Sequence, residues 1–193
     1  MYDTLFQYIK RYSTTPLTQT QLELVKDAFT HKHFRRRHLF LQAGNVCKFT
    51  AFIVKGAMRQ YSVDDKGIEH VIRLYIENWW AVDRESLIKL KPSIYYIDAW
   101  EDTDVLLTTA AQFYSISTIP AIAELLRHLD ENHAFAYQRR ITSAISSSAE
   151  ERYFELQNTY PEFLQRFPQH IIASYLGISP EYLSRIRKQE MHK

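Results

Sequence analysis

Cysteine is nearly absent from this chain, since Cys47 is the single one among 193 residues. One thiol excludes an internal disulfide, and it also excludes a four-cysteine iron–sulfur cluster or zinc site built within one chain. Long apolar runs are absent too: no segment reaches the length of a membrane span, and the N-terminus lacks the basic-then-apolar pattern of a secretory leader. We therefore expect a cytoplasmic protein with no membrane partner.

Neither an excess of positive charge nor a catalytic motif is present. The formal net charge is +2, so any binding of nucleic acid has to come from a local face of the protein. No Ser-His-Asp, paired-carboxylate or metal-ligand motif occurs at diagnostic spacing, and we do not expect an enzyme. Apolar residues make up 46% of the chain, which is ample for a core and, at this length, favours two domains.

The most informative segment covers residues 167–188, near the C-terminus. Its first half predicts a short helix with one buried face, because apolar side chains recur there at helical spacing, at Ile171, Ile172, Tyr175 and Leu176. Gly177 follows directly, and a glycine at that position provides the left-handed backbone with which many helices end. A sharp corner is therefore predicted after Leu176.

A second helix is predicted to begin at Pro180, because Ser179 is placed to cap it and Glu181 suits its positive end. The two helices and the glycine corner make a helix-turn-helix, whose second helix enters the major groove in DNA-binding proteins. Arginine can read guanine, glutamate can accept from cytosine N4, and Arg187 and Lys188 suit phosphate. The predicted DNA-binding residues are Ser179, Pro180, Glu181, Ser184, Arg185, Arg187 and Lys188. An ordinary helical hairpin with a solvated charged face is the alternative.

The first half of the chain combines short helices with strands. Residues 1–12 predict an amphipathic helix, and Thr18 with Gln21 predicts the capped start of a second one. Short β-prone runs follow, at residues 39–41, 49–54, 58–63, 70–76 and 105–108. Close spacing and tight turns, such as 64–67, predict a small jelly-roll barrel. The basic run 31–38 is interpreted either as a solvated strand edge or as a contact to phosphate or an acidic ligand.

Residues 79–104 are less regular and allow two interpretations. Asp83, Arg84 and Glu85 form either an acid–base cluster or the start of a surface helix. Trp79 and Trp80 either line a cavity or pack in the core.

One long helix is predicted over residues 119–145. Its apolar stripe runs from Ile122 to Ile145, which is longer than the flank of a barrel needs, and it implies a second copy of the chain. Ser148 and Glu151 form a capping box that begins the next helix. The predicted domains are therefore an effector domain at 1–118, a dimerisation helix at 119–147 and a DNA-binding domain at 148–193.

A strand barrel, a long helix and a helix-turn-helix in this order resemble the Crp/Fnr family of bacterial transcription regulators. The resemblance rests on Gly44, residues 52–59, Gly67 and residues 171–188, and residues 148–153 and 182–187 look like a short branch of the family. It implies an α+β protein with a cyclic-nucleotide-binding-like jelly-roll barrel, a long dimerisation helix and an all-helical C-terminal domain. Because only residues 189–193 follow the second helix, we expect the C-terminal wing to be missing or replaced by strands upstream.

The resemblance implies a transcription regulator that binds a palindromic operator as a homodimer. Its partners would be double-stranded DNA, a second copy of the chain joined along residues 119–145, and RNA polymerase. Glu181 and Arg185 match the glutamate and arginine with which family members commonly read DNA. Pro180 replaces a second arginine of the family, so we do not assume the family's usual operator sequence.

The barrel departs further from the cyclic-nucleotide binders. Where they place a glycine–glutamate pair for the ribose this chain has Val82 and Asp83, and where they place arginine and serine for the phosphate it has Ser93 and Ile94. A buried phosphate without a cation is costly, and the arginines that could substitute are Arg73 and Arg84. The candidate effector pocket is Arg73, Asp83, Arg84 and Ser93. We expect an effector other than cyclic AMP and no iron–sulfur cluster, and a haem-sensing variant stays open.

A second hypothesis is a small-molecule-binding module whose helical tail contacts a protein instead of DNA. The two hypotheses differ in the salt dependence of DNA affinity, because neutralising phosphates gives a steep negative slope.

Overall fold

The computed structural model describes residues 1–190 and divides the chain into two compact units. The barrel unit comprises residues 1–60 and 75–133, and the helical unit comprises residues 61–74 together with the described chain from Ala134 onward. The boundary falls inside the long helix, between His133 and Ala134. The division at residues 118 and 147 stays a prediction.

Within the described residues, two helices precede the strands, a third interrupts them, and six further helices follow them. The helices are α1 Tyr2–Tyr12, α2 Gln19–Asp27, α3 Arg84–Lys89, α4 Ala110–Ile116, α5 Pro120–Ser146, α6 Ala149–Thr159, α7 Pro161–Arg166, α8 Gln169–Leu176 and α9 Pro180–Glu190. The strands are β1 Thr30–Phe34, β2 Leu39–Leu41, β3 Phe49–Lys55, β4 Met58–Val63, β5 Glu69–Tyr75, β6 Trp80–Ala81, β7 Tyr96–Ala99 and β8 Thr103–Thr109.

The strands form two four-stranded sheets, in the orders β1-β8-β3-β6 and β2-β7-β4-β5. Side chains of both sheets meet in one core, where Ile53, Met58 and Ile97 are fully buried. The predicted α+β class with a jelly-roll barrel, a long helix and a helical C-terminal region is confirmed. Residues 31–34 of the basic run lie in β1, an edge strand whose residues are exposed apart from Phe34, as one interpretation predicted, whereas residues 35–38 lie between β1 and β2.

The turn between β3 and β4 depends on Gly56. Its φ is +100°, and a Cβ placed there would lie 2.5 Å from the Thr103 hydroxyl oxygen. Any other residue would therefore be strained in its backbone and would displace β8.

A second apolar cluster of the barrel unit joins the N-terminal helices to the barrel. Leu5 and Ile9 of α1 pack in one cluster with Phe52, Trp80 and Leu125, the last from the first half of α5. The ring centroids of Phe52 and Trp80 lie 4.9 Å apart. Of the two interpretations of the tryptophan pair, the core role is the one that Trp80 fulfils.

The helical unit has its own core. Tyr153, Phe163, Ile172, Leu183 and Ile186 are buried there. Between residues 149 and 190 every regular element is a helix, so no strand of a wing lies in that stretch; the part of the wing prediction that concerns residues 191–193 falls outside the described residues. Among residues 1–190, no helix combines the length and the apolarity that crossing a bilayer requires.

Candidate nucleic-acid interface

The corner between α8 and α9 has the geometry that the sequence predicts. Gly177 adopts φ 69° and ψ 35°, the left-handed conformation that glycine adopts without strain. The Gly177 N–H donates to the Ser174 carbonyl at 3.1 Å, and the Ile178 N–H donates to the Ala173 carbonyl at 3.0 Å. These bonds satisfy carbonyls at the end of α8 and turn the chain directly into α9.

Ser179 caps α9 as predicted. Its hydroxyl oxygen accepts a hydrogen bond from the Tyr182 N–H at 3.2 Å, and its carbonyl accepts one from the Leu183 N–H at 3.0 Å. Pro180 occupies the first turn, where its missing N–H costs no helical bond. Hydrogen bonds from the backbone amide of Glu181 itself, and next from the Ser179 side chain, lower the pKa of the Glu181 carboxyl. The first turn of α9 therefore presents a negative charge.

One side of α9 is anchored and the other is open. Leu183 and Ile186 are 1% and 2% exposed, which fixes the rotation of the helix about its axis. Of the seven predicted DNA-binding residues, Ser184 is half-buried and the rest are exposed, namely Ser179, Pro180, Glu181, Arg185, Arg187 and Lys188. Within the helical unit this surface is therefore free of packing, and its role in binding DNA stays a prediction.

The open side of α9 forms one wall of a shallow groove of about 680 Å³. Its lining consists of Pro168, Gln169, His170, Pro180, Glu181, Ser184, Arg185 and Lys188. The sequence analysis missed Gln169 and His170, which lie at the start of α8. The Gln169 side-chain amide also donates to the Pro180 carbonyl at 2.9 Å, which ties the beginnings of the two helices together. Only the packing of α8 on α9 reveals this pairing.

The capping box predicted for the start of α6 is present. The Ser148 N–H donates to the Glu151 carboxylate at 2.7 Å, and the Glu151 N–H donates to the Ser148 hydroxyl at 3.2 Å. This capping box begins α6 at residue 149.

The tip of the β4–β5 hairpin, residues 61–74, belongs to the helical unit. The Ser174 hydroxyl of α8 accepts a hydrogen bond from the Val71 N–H at 2.9 Å and donates to the Glu69 carbonyl at 3.1 Å, as a neighbouring strand would. Arg140 of α5 donates to the Ile72 carbonyl and lies 4.4 Å from the centre of the Tyr175 ring. These contacts cover the free edge of β5, and we refer to Ser174 and Arg140 as the edge clamp.

The second half of α5 exposes apolar side chains. Phe135, Tyr137, Ile141 and Ile145 are 56%, 49%, 59% and 82% exposed in the single chain. In the first half, by contrast, Ile122 and Leu125 are buried. The predicted long helix is confirmed, and the exposed apolar surface is the surplus that the sequence predicted.

The four candidate effector-pocket residues do not form one cluster. Asp83 and Ser93 are buried and bonded to each other, with the Ser93 hydroxyl donating to the Asp83 carboxylate at 2.6 Å. Arg84 is exposed and forms an ion pair with Asp130 of α5 at 2.6 Å. Arg73 lies in the helical unit, where its guanidinium stacks over the Tyr137 ring at 4.6 Å. Their role in binding an effector stays a prediction.

Asp83 also settles the interpretation of residues 83–85. Its carboxylate accepts a bond from the Ser86 N–H at 3.3 Å and so caps α3. The Ser86 hydroxyl in turn accepts a bond from the Cys47 N–H at 2.8 Å. The segment is thus the start of a helix, held by buried polar groups that use one another as partners.

Solved structures with the same architecture decide the fold. The chain superposes on CooA from Carboxydothermus hydrogenoformans, in a variant form, with a TM-score of 0.68 and 16% identity, over 86% of this chain and 77% of that one. It superposes on FixK2 from Bradyrhizobium japonicum with a TM-score of 0.67 and 17% identity, over 83% of each chain. It also superposes on a transcription regulator from Eubacterium rectale, described as a member of the Crp/Fnr family, with a TM-score of 0.63 and 20% identity, over 91% of this chain and 85% of that one.

The chain has the fold that these three structures share. Identities of 16–20% establish the architecture without transferring any residue's role. No protein-family model matches the chain, and no curated protein matches it. Within this fold, the Asp83–Ser93 pair is buried and the polar face of α9 is exposed.

Proposed function

We propose that this protein is a sequence-specific DNA-binding transcription regulator of the Crp/Fnr type, acting as a homodimer on a palindromic operator. The observation that carries the proposal is the exposed polar face of α9, which is held by buried Leu183 and Ile186 behind the Gly177 corner. A fixed helix that presents Glu181, Ser184 and Arg185 suits the reading of base edges in the major groove.

The proposed dimer joins two chains along α5. Ile141 and Ile145 are 59% and 82% exposed, and large apolar side chains repeated along one helix are typical of an interface between helices. A two-fold pair of chains would present α9 twice, which is why a palindromic operator follows.

Dimerisation is tested by sedimentation of wild type and of Ile141→Glu. We expect a dimer for wild type and a monomer for the variant, because two carboxylates would face each other across an apolar seam. Ile88→Glu is the matched control, since Ile88 is 68% exposed on α3 in the barrel unit and should leave the dimer intact. A wild-type monomer at micromolar concentration would contradict the proposal.

The barrel, in this proposal, senses an effector other than a cyclic nucleotide. Ser93 stands where the cyclic-nucleotide binders place a phosphate-binding arginine, and its hydroxyl is bonded to the Asp83 carboxylate. A phosphate at that place would meet a carboxylate in a buried setting, which is unfavourable. Calorimetry with cyclic AMP and cyclic GMP should therefore show no binding, and micromolar affinity for either would reject this part. Contact with RNA polymerase is proposed from the resemblance alone.

DNA binding is tested by fluorescence anisotropy with duplexes over a range of salt concentrations. We expect the logarithm of the affinity to fall linearly with the logarithm of the salt concentration. The slope should steepen by about 0.9 for each phosphate contacted. Arg185→Ala should lose about 1–3 kcal/mol per half-site on a specific sequence. The matched control is Arg11→Ala, an exposed arginine of α1, which should bind as wild type does. Effector binding without salt-dependent DNA affinity would instead favour a module whose helical tail contacts a protein.

A further inference from the structure

Tyr182 lies between the buried and the exposed sides of α9, and its ring contacts the side chain that we assign to base reading. We infer that Tyr182 is a positioning residue for Arg185 and that Glu150 holds Tyr182 in place. The inference rests on the proposed function, because it concerns how the same site reads DNA.

Two contacts define the arrangement. The Tyr182 hydroxyl donates to the Glu150 carboxylate at 2.6 Å, which joins α9 to the first turn of α6. The guanidinium carbon of Arg185 lies 5.1 Å from the centre of the Tyr182 ring, within the range of a cation–π contact. The three residues therefore form a chain of contacts that leads from α6 to the exposed face of α9.

The first two members of that chain, Glu150 and Tyr182, are fixed. Leu183, the neighbour of Tyr182, is 1% exposed, so the backbone that carries the ring is anchored in the core. Glu150 lies between Ser148 and Glu151, whose reciprocal bonds fix the start of α6. A ring held at its hydroxyl and at its backbone offers a rigid surface on which a long arginine side chain can rest.

Pre-ordering of Arg185 has a consequence for operator recognition. A free arginine loses much rotamer freedom when it forms a bidentate contact with guanine, whereas one that already stacks on a ring loses less. Tyr182 should therefore contribute to affinity for the specific sequence, and it should contribute little to binding of random DNA, which depends on phosphate contacts.

The test uses the full-length protein and an operator recovered by selection from random-sequence duplexes. Affinities for this operator and for a random duplex are measured for Tyr182→Leu, Tyr182→Phe, Glu150→Ala and Arg185→Ala, and for the pair Tyr182→Leu with Arg185→Ala. Glu162→Ala is the matched control for Glu150→Ala, since Glu162 is exposed in the first turn of α7. Thermal melting shows that each variant is folded, and Tyr182→Phe keeps the ring in case Tyr182→Leu unfolds.

We expect Tyr182→Leu to weaken operator binding about two- to fivefold per half-site, or about 4- to 25-fold for the dimer, with random-duplex affinity unchanged. Tyr182→Phe and Glu150→Ala should lose less, and Tyr182→Leu should add nothing once Arg185 is alanine. An equal loss from Tyr182→Leu in the presence and absence of Arg185, or an equal loss on both duplexes, would overturn the inference and leave the proposed function standing. A wild-type protein that selects no operator would overturn both.

Discussion

The buried polar residues of the barrel and the exposed polar residues of α9 differ in where their hydrogen bonds go. Asp83 and Ser93 bond to each other, and Asp83 also caps α3. Arg185 and Lys188, by contrast, line an open groove on a helix whose other side is buried. The first set holds the fold together, whereas the second faces outward from a fixed support.

This difference teaches how to weigh a polar residue in a site. Resemblance to a family placed Asp83 and Ser93 in a ligand pocket, yet their side chains already serve each other as partners. A ligand would have to compete with those bonds, and breaking a buried hydrogen bond leaves groups unsatisfied at a cost of about 1–3 kcal/mol. Residues on α9 meet no such competition from the core, so function is better sought there.

The largest effect should follow from removing the support of the exposed face. Leu183→Ala should lower the free energy of unfolding of the helical unit by about 2–5 kcal/mol, because truncating a buried leucine leaves a cavity in the core. Denaturant unfolding followed by a probe in the helical unit measures this. Glu181→Ala, two residues earlier and exposed, should change stability much less. Similar losses from both substitutions would erase the distinction between the two sides of α9.

A smaller effect is expected from Asp83→Ala in the barrel. The variant loses the cap of α3 and the short bond from the Ser93 hydroxyl, which keeps only its weaker contacts with the Tyr95 backbone, so the free energy of unfolding should fall by about 1–3 kcal/mol. Affinity for DNA should not change at temperatures at which the variant is folded. Glu85→Ala is the matched control, since Glu85 is exposed and pairs with Lys89 at the surface, and exposed ion pairs contribute little to stability. A loss of DNA affinity without a loss of stability would show instead that Asp83 contributes to DNA binding.

Ser174 of the edge clamp and Ser184 of α9 allow the same comparison between a polar side chain bonded within the fold and one that lines the open groove. Ser174→Ala removes the hydroxyl that pairs with Val71 and Glu69, and it should destabilise the hairpin tip by about 0.5–1.5 kcal/mol. Faster hydrogen exchange at the Val71 amide would report this. Ser184→Ala on α9 should leave that amide protected, because Ser184 lines the open groove. Unchanged exchange in Ser174→Ala would show that the clamp does not hold the strand edge.

The smallest effect concerns acid stability. Hydrogen bonds from Thr15 and then Thr14 lower the pKa of Glu124 from 4.5 to about 2. Because the folded pKa is depressed, the stabilisation is present above pH 4.5 and is lost as pH falls toward 2. Melting temperatures of wild type and Glu124→Gln should therefore differ at pH 6 and converge near pH 2. A difference that persists unchanged at low pH would show that the bonds do not depend on the charge of Glu124.

Local signals in the sequence predicted much of the fold. Capping boxes mark the starts of α2 and α6, and Gly177 marks the corner, because these features depend on residues only a few positions apart. The capping box of α4, made by Thr109 and Gln112, carries the same signal and was overlooked. Strand β6 escaped prediction because two residues are too few to display a period, and β7 escaped because it lies in the irregular stretch 79–104.

Contacts between distant segments could not be predicted from the sequence. The Gln169 side chain bonds to the Pro180 carbonyl only when α8 packs on α9. Ser174 bonds to Val71 of β5, which lies 103 residues away in the sequence. Arg73 was grouped with the barrel pocket as a cation that could replace the missing phosphate-binding arginine, whereas the structure places it over Tyr137 in the helical unit. Such pairings depend on tertiary packing, which leaves no mark on local sequence.

Selection of binding sites from a pool of random duplexes tests the central claim most directly. If two α9 helices read DNA from a symmetric pair of chains, wild type should enrich a palindrome whose half-site centres lie about 10 base pairs apart. Arg185→Ala should lose preference at one base pair of each half-site while the spacing stays the same. Enrichment of no motif, or of a single asymmetric site bound by one chain, would contradict the account.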